Sequence, residues 1–175
     1  MSTLKVNNIT DLGDDAVVTS GVLDTLAVPA GGILQVNQTV KTDFFSTTST
    51  SFTDITGLSV DITPRSTSSK ILVIANVNIL NSNTSYYWAL NLQRDGANIA
   101  QGTGGSVNNQ TAWARNASST DHAYVPITFL DSPSTTSTVT YSLQTNTTNA
   151  GGPTYVNGTS SSSAISSITV MEVAG

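Results

Sequence analysis

The sequence predicts an all-β protein built as an antiparallel sandwich, and three observations support this. Ser, Thr and Asn account for 24, 28 and 15 of the 175 residues, whereas the chain has one glutamate and three lysines. Good helix formers are therefore scarce, while Thr, Val and Ile, which suit a pleated surface, are common. Short apolar segments alternate with turn-rich polar loops. The hydrophobic fraction of 38% suffices for one core, so neither a helical bundle nor wholesale disorder is expected.

The first 32 residues differ in character from the rest. They hold four of the eleven acidic residues, among short apolar pairs without a sustained period, and end at the turn signal of residues 29–32. We interpret residues 1–32 as an extended arm of short strands and turns that becomes ordered on a partner surface, with a flexible tail as the alternative. Residues 33–175 are then the sandwich domain. The candidate attachment residues are the apolar side chains of the arm: Leu4, Val6, Ile9, Leu12, Val17, Val18, Val22, Leu23 and Leu26.

Eight to ten strands are predicted after the arm. Apolar and polar residues alternate, or form a short apolar run, over residues 33–40, 58–62, 70–80, 86–92, 97–101, 111–115, 123–130, 139–144, 155–156 and 166–174. Loops rich in Ser, Thr, Gly and Asn separate these segments, and Asp95-Gly96 is a hairpin signal. Strands at this spacing, without a longer internal repeat, are typical of an antiparallel sandwich.

Two of these strands define faces that the structure can test. In the first, Leu34, Val36 and Val40 share one face, opposite Gln35, Asn37 and Thr39. The segment of residues 70–80 is the most apolar of the chain, and we expect it to be buried on both faces at its start and half-exposed later. Because a sandwich needs only one buried face, and charged residues make up only 10% of the chain, we predict a second buried interface between copies.

Charge and composition exclude several classes of protein. The net charge is −5 and six Lys and Arg residues are scattered singly, so we predict no nucleic-acid binding. The chain has no cysteine, which excludes disulfides and thiolate metal sites. The sequence shows neither a signal peptide nor an apolar run long enough for membrane insertion. We expect no metal and no cofactor.

Three stretches carry a resemblance to a known group of proteins. They are residues 1–9 (MSTLKVNNI), residues 62–73 (ITPRSTSSKILV) and residues 164–175 (AISSITVMEVAG). Each is similar to the corresponding part of short tail-fibre-like virion proteins of marine bacteriophages, particularly those of cyanobacteria. Shorter matches at residues 130–133 and 155–157 follow in the same order. The resemblance implies a trimeric virion structural protein with a jelly-roll-like domain and no catalytic residues.

Residues that could carry chemistry have simpler interpretations. His122 stands beside Asp121 and near Ser118 and Ser119, as in a nucleophile–base–acid site. Neighbouring strand residues point to opposite faces, so we interpret His122 as a surface or interface residue. Glu172, the only glutamate, lacks the partner that paired-carboxylate hydrolysis needs, and we place it at an outward or edge position. The aspartates of residues 11–15 lack the ligand spacing of a calcium loop.

Aromatic residues cluster in two parts of the chain. Trp88 alternates with Leu90 and Leu92 and is expected in the core, whereas core and interface are equally open for Trp113. Aromatic rings flanked by Asn and Gln are also how proteins hold sugar rings. The candidate receptor or subunit contacts are therefore Tyr86, Tyr87, Trp113 and Tyr155.

Together these observations predict a non-enzymatic virion protein that forms a homotrimer. The arm would bind another phage virion protein, and the domain would act as a tail-fibre or adhesin subunit that contacts the host surface, with a surface glycan as the receptor. The alternative is a capsid decoration protein or a head/tail connecting protein that reinforces the particle without receptor binding. A β-sandwich hydrolase is a third class, which the lack of an acid–base pair disfavours.

Overall fold

A computed structural model describes residues 8–10, 16–19, 28–103, 109–159 and 162–175. Within these ranges the chain forms strands and no helix. The strands are β1 (Asn8–Thr10), β2 (Ala16–Thr19), β3 (Ile33–Lys41), β4 (Phe45–Thr47), β5 (Thr53–Ile62), β6 (Lys70–Asn81), β7 (Trp88–Arg94), β8 (Ala97–Ile99), β9 (Ala112–Ala114), β10 (Ala123–Asp131), β11 (Val139–Thr147), β12 (Thr154–Val156), β13 (Gly158–Thr159), β14 (Ser162–Ser163) and β15 (Ser166–Val173).

Two antiparallel sheets form the sandwich. In sheet 1, β10 pairs along one edge of β6, and β15 and β12 follow one another along the opposite edge. β3 then pairs with β15, and β4 with β12. In sheet 2, β11 lies between β5 and β7, and β8 and β9 follow one another along the far edge of β7. Each sheet is therefore four strands wide.

The strand pairs are nested along the chain. The outermost pair is β3 with β15, then come β5 with β11 and β6 with β10, and β7 pairs with β8 and β9 at the centre. The chain is thus doubled back on itself and wrapped so that successive pairs fall in alternate sheets. This order is that of a jelly roll, in which two Greek keys build two four-stranded sheets. The predicted antiparallel sandwich of jelly-roll type is confirmed.

The core lies between the two sheets and is built from alternate residues of each strand. Burying an aliphatic side chain contributes about 1.5–3 kcal/mol. The core residues of the central strands are Ile71, Val73, Ala75, Val77 and Ile79 of β6, Trp88, Leu90 and Leu92 of β7, and Val139, Tyr141 and Leu143 of β11. Trp88 is 3% exposed, as predicted.

β3 presents its polar face to the interior. Gln35 Nε2 donates to the carbonyl of Thr63 at 2.7 Å, and Asn37 Nδ2 donates to the carbonyl of Asp61 at 2.7 Å. The predicted division of β3 into two faces therefore holds, but the apolar face with Val36 and Val40 points outward and is exposed. An edge strand can hold its neighbour through such amide bonds, which leaves its apolar side chains available for another surface.

The expectation for residues 70–80 is wrong for the single chain. On the outer face of β6, Leu72 is half-buried and Ile74 is exposed, whereas Asn78 and Leu80 at the far end are buried. At the far end, other segments of the same chain close on the strand: the backbone N–H of Asn157 donates to the carbonyl of Asn78 at 3.0 Å, and His122 Nδ1 lies 2.9 Å from Asn78 Oδ1. Nothing among the described residues covers the start of the strand.

Turns at left-handed backbone positions complete the sandwich. Asp95 and Gly96 have φ of 49° and 78°, and they join β7 to β8 as the sequence predicts for a two-residue hairpin. Asn157 has φ of 65° and holds the crossing from β12 towards β15. Its side-chain amide donates to the carbonyls of Lys41 and Asp43 at 2.9 and 3.0 Å, so this turn is tied to the end of β3.

The arm contributes one described element, in which β1 and β2 pair as a two-stranded antiparallel sheet with Ile9 opposite Val18. Short strands were expected there. Of the candidate attachment residues, Val17 also lies in this hairpin, and the aspartates of residues 11–15 lie outside the described residues. Also outside are Leu4, Val6, Leu12, Val22, Leu23 and Leu26. The division of the chain at residues 32 and 33 stays a prediction.

Candidate functional site

The outer face of sheet 1 carries an apolar row that crosses all four strands. Strand register places Val36 opposite Met171, Met171 opposite Leu72, and Leu72 opposite Leu130. Val36 and Leu130 are 53% and 49% exposed. We call these four residues the apolar row.

Residues around the apolar row extend it without adding charge. Ile74 follows Leu72 on the same face of β6, and Val40 and Tyr124 are exposed further along the sheet. On β3, β6, β10 and β15 the only charged side chain of this face is Lys70, at the start of β6, since the other charged residues of these strands alternate to the inner face. The next row is mixed, since register places the polar Gln38, Thr169 and Thr128 around Ile74. Exposed apolar side chains grouped together, rather than scattered singly, mark interaction sites on soluble proteins.

The outer face of sheet 2 is different, because amide side chains dominate it. Asn91 and Gln93 of β7 lie on this face, and Gln144 of β11 lies opposite Asn91. Gln144 Nε2 donates to Asp54 Oδ1 at 2.7 Å, and Gln101 Nε2 donates to Asn91 Oδ1 at 3.3 Å. Asn91 and Gln93 are buried on this face and hydrogen-bonded to their neighbours, so the face is held together by amides and has no counterpart of the apolar row.

One end of the amide-rich face holds an aromatic pair, Tyr87 and Trp113. The ring centroids are 5.1 Å apart and the rings are tilted by 54°. The guanidinium carbon of Arg115 lies 5.6 Å from the centre of the Tyr87 ring, which is a cation–π contact. Trp113 remains 60% exposed, so it is not a core residue of this chain.

The structure brings together two of the four aromatic candidates. Tyr87 and Trp113 are in contact, whereas Tyr86 packs over Gly151 and Gly152 in the loop before β12. Tyr155 lies opposite Leu80, on the outer face of sheet 1. A single site made of all four residues is therefore not formed.

The positions predicted for His122 and Glu172 compare differently with the structure. His122 is exposed, and its Nδ1 lies 2.9 Å from Oδ1 of Asn78, so the described hydrogen bond of the ring is to an amide and not to Asp121. Glu172 is fully buried, so the outward or edge position predicted for it is wrong. Its parity on β15 places it on the inner face with Ile168 and Val170, and that face is covered.

The Glu172 carboxylate accepts two hydrogen bonds from other parts of the chain. The backbone N–H of Arg65 donates to Oε1 at 2.6 Å and Gln35 Nε2 donates to Oε2 at 2.6 Å. Burial by itself raises the pKa of Glu172. The Ser69 hydroxyl, the Arg65 N–H and the Gln35 amide together lower it by more, so the pKa of Glu172 lies below its ordinary value. The Ser69 hydroxyl is near the carboxylate but forms no hydrogen bond with it, so Arg65 and Gln35 supply the two hydrogen bonds.

A charged network that sequence reasoning did not find joins the two sheets. Arg94 of sheet 2 donates from one nitrogen to both Asp131 oxygens, at 2.7 and 3.0 Å, and the Tyr141 hydroxyl donates to Asp131 at 2.7 Å. Burial and then the hydrogen bond to Asp131 raise the pKa of Tyr141 far above its ordinary value, so this phenol is a hydrogen-bond donor. The three residues come from different strands, and no local motif could have indicated them.

Among the described residues, no group of three or more His, Cys, Asp or Glu side chains is arranged to hold a metal ion. In the described ranges, no helix has the length and apolar character needed to cross a membrane.

Comparison with known proteins gives no family. No protein-family model and no curated protein matches this sequence. One similar solved structure is that of T=1 particles derived from infectious bursal virus, with 12% identity, a TM-score of 0.45, and coverage of 100% of this chain and 44% of that chain. Another is the VP2 subviral particle of infectious bursal disease virus, with 11% identity, a TM-score of 0.39, and coverage of 82% and 38%. The chain therefore spans less than half the length of these solved structures.

Proposed function

We propose that this protein is a structural subunit of a virus particle, which associates with copies of itself through the outer face of sheet 1 and binds the particle through its arm. The observation that carries the proposal is the apolar row, an almost uncharged stripe across four paired strands. The sequence resemblance to tail-fibre-like virion proteins supports the particle as the place of action.

Self-association explains why the apolar row is exposed in one chain. Exposed aliphatic side chains lose contact with water when a second copy covers them, at about 25 cal/mol for each Å² of apolar surface buried. A sheet face that carries such a row can serve as the same patch on each protomer of a closed assembly. The resemblance favours three protomers.

The arm and the domain would then have separate tasks. The backbone N–H of Gly31 donates to the carbonyl of Ala174, and the N–H of Ala174 donates to the carbonyl of Gly32, both at 2.8 Å, so the arm leaves the domain beside the last strand. An arm that is anchored at one end of a sheet can reach a neighbouring protein without disturbing the sandwich. A phage virion protein is the partner that we propose for it.

Within a virion, we favour a tail-fibre or adhesin subunit over a capsid decoration protein. The aromatic pair on sheet 2 lies on the side opposite to the proposed subunit interface, and its exposed member, Trp113, is free for contact with a host. A protein that only reinforces the particle would leave this surface without a ligand. Copy number separates the two roles, since dozens of copies per particle indicate a fibre and hundreds indicate the capsid surface.

Sedimentation velocity of purified protein tests the self-association. We expect the wild-type chain to sediment as an oligomer at about 10–50 μM, within the range in which protein interfaces of standard size are occupied. Leu130→Lys places a charge in the apolar row and should yield a folded monomer. Ser59→Lys, at an exposed position on the outer face of sheet 2, should sediment like the wild type. A monomeric wild type, or an oligomeric Leu130→Lys variant, would overturn the proposal.

A further inference from the structure

The structure assigns a second binding site, distinct from the apolar row, to the outer face of sheet 2. We propose that the aromatic pair and Arg115 bind an acidic sugar residue of a polysaccharide, with the sugar ring on Trp113 and its carboxylate near Arg115. The proposal extends the adhesin form of the proposed function and does not depend on self-association, because it concerns the opposite sheet.

The Trp113 ring is held in place while much of it stays in water. Tyr87 supports it from one side at 5.1 Å between centroids. Tyr87 is itself fixed by two hydrogen bonds to Thr148, since its backbone N–H donates to the Thr148 hydroxyl at 2.9 Å and its carbonyl accepts from the Thr148 N–H at 3.0 Å. A sugar ring presents C–H groups that pack on such an aromatic surface, so a fixed, exposed indole is suited to a pyranose.

Polar groups beside the aromatic pair suit the hydroxyl groups of a sugar. Register places Asn146 opposite Ala89 and Ala89 opposite Trp113, so the three share one row of the outer face. Asn146 Nδ2 donates to the carbonyl of Thr50 at 3.1 Å, but its Oδ1 is buried and has no hydrogen-bond partner among the described residues. An unpaired buried acceptor is costly, and a sugar hydroxyl would satisfy it once the Asn146 side chain turns outward to expose Oδ1.

Arg115 indicates the charge of the sugar. The chain is acidic overall, and the two ion pairs between described residues, Lys41 with Asp43 and Arg94 with Asp131, do not involve Arg115. Its guanidinium contacts only an uncharged ring in the described structure, and a guanidinium pairs with a carboxylate through two parallel hydrogen bonds. A uronic acid combines that carboxylate with the ring and hydroxyl groups that the rest of the site accepts.

Titration calorimetry with alginate oligosaccharides tests the proposal, with neutral dextran oligosaccharides as the second ligand. We expect alginate to bind and dextran to bind at least tenfold more weakly. Trp113→Ala should weaken alginate binding at least about tenfold, in line with the loss of one aromatic contact. Arg115→Gln should remove the preference for alginate over dextran. Phe44→Ala, at an exposed aromatic residue between β3 and β4, is the matched control and should bind like the wild type.

Intrinsic fluorescence supplies a readout that does not depend on the variants. The chain has two tryptophans, of which Trp88 is buried and Trp113 exposed, so acrylamide should quench mainly Trp113. Bound alginate should protect Trp113 from quenching. Unchanged quenching at saturating alginate, or wild-type affinity in Trp113→Ala, would overturn the proposal. The monomeric Leu130→Lys variant should retain binding per site, so failure of the sugar site and failure of self-association give different results.

Discussion

One buried carboxylate, that of Glu172, links separate segments of the sandwich. Glu172 lies on the inner face of the last strand, where a hydrophobic residue would be expected, and is completely removed from solvent. It joins three segments, since its donors come from the link before β6 and from β3. A buried carboxylate with two aligned donors is stabilised in its ionised form, and breaking such contacts costs more than an average hydrogen bond.

The lowered pKa of Glu172 predicts a specific loss of stability in acid. A carboxylate whose pKa is lower in the folded than in the unfolded protein adds stability that is complete above the unfolded pKa and disappears as the pH falls through the folded pKa. In Glu172→Gln this contribution is absent, and the new amide N–H₂ opposes the Gln35 amide. We expect the variant to be less stable at pH 7, by about 1–3 kcal/mol in urea unfolding.

Comparison across pH distinguishes this explanation from a packing defect. Between about pH 5 and pH 3, the wild type should lose stability more steeply than Glu172→Gln, and their curves should converge. Asp121→Asn, at an exposed carboxylate, should follow the wild-type curve. Parallel curves for the wild type and Glu172→Gln would contradict the prediction.

At the scale of elements, the strands with strict alternation were predictable and the buried asparagines were not. The strand predicted at residues 139–144, where apolar and polar residues alternate strictly, is observed within Val139–Thr147, because a period of two can be read directly from the side chains. Asn157 also follows from no local pattern, since the carbonyls that it binds belong to Lys41 and Asp43, more than a hundred residues away. These contacts of Asn157 exist only in the folded chain, so the local sequence does not indicate them. The exposure of Trp113 likewise depends on the pairing of β9 with β7.

The prediction at the scale of elements concerns removal of the arm. Deleting residues 1–27 leaves the hydrogen bonds of Gly31 and Gly32 with Ala174 in place, so the sandwich should keep its circular dichroism spectrum and unfold within a few degrees of the full chain. The truncated protein should fail to enter particles that lack the protein, because the proposed attachment residues are gone. Western blotting of purified particles measures incorporation. Full-length Ser59→Lys serves as the control, and incorporation of the truncated chain at the control level would contradict the attachment role.

The whole molecule has two unlike faces. The outer face of sheet 1 carries the apolar row, and the outer face of sheet 2 carries amide side chains with the exposed Trp113 at one end. The sequence of residues 70–80 already showed more apolar residues than one buried face needs. It did not show where the apolar row lies, because the row also depends on β3 placing its apolar side chains on the outer face beside β15. The jelly roll thereby separates the two tasks that we propose, association with copies on one side and recognition of a ligand on the other.

Coupling between association and folding gives the last prediction. If the native state is an oligomer and the unfolded chains are separate, higher protein concentration favours the folded form. For a trimer, raising the concentration from about 1 to 100 μM adds roughly 1.8 kcal/mol per protomer, which corresponds to a Tm about 4–7 °C higher for a chain of this length. Leu130→Lys should unfold at a temperature independent of concentration, whereas Ser59→Lys should follow the wild type. Scanning calorimetry over this range measures the shift, and a concentration-independent Tm in the wild type would show that the apolar row is not covered by another copy, since mass action requires the shift whenever subunits separate on unfolding.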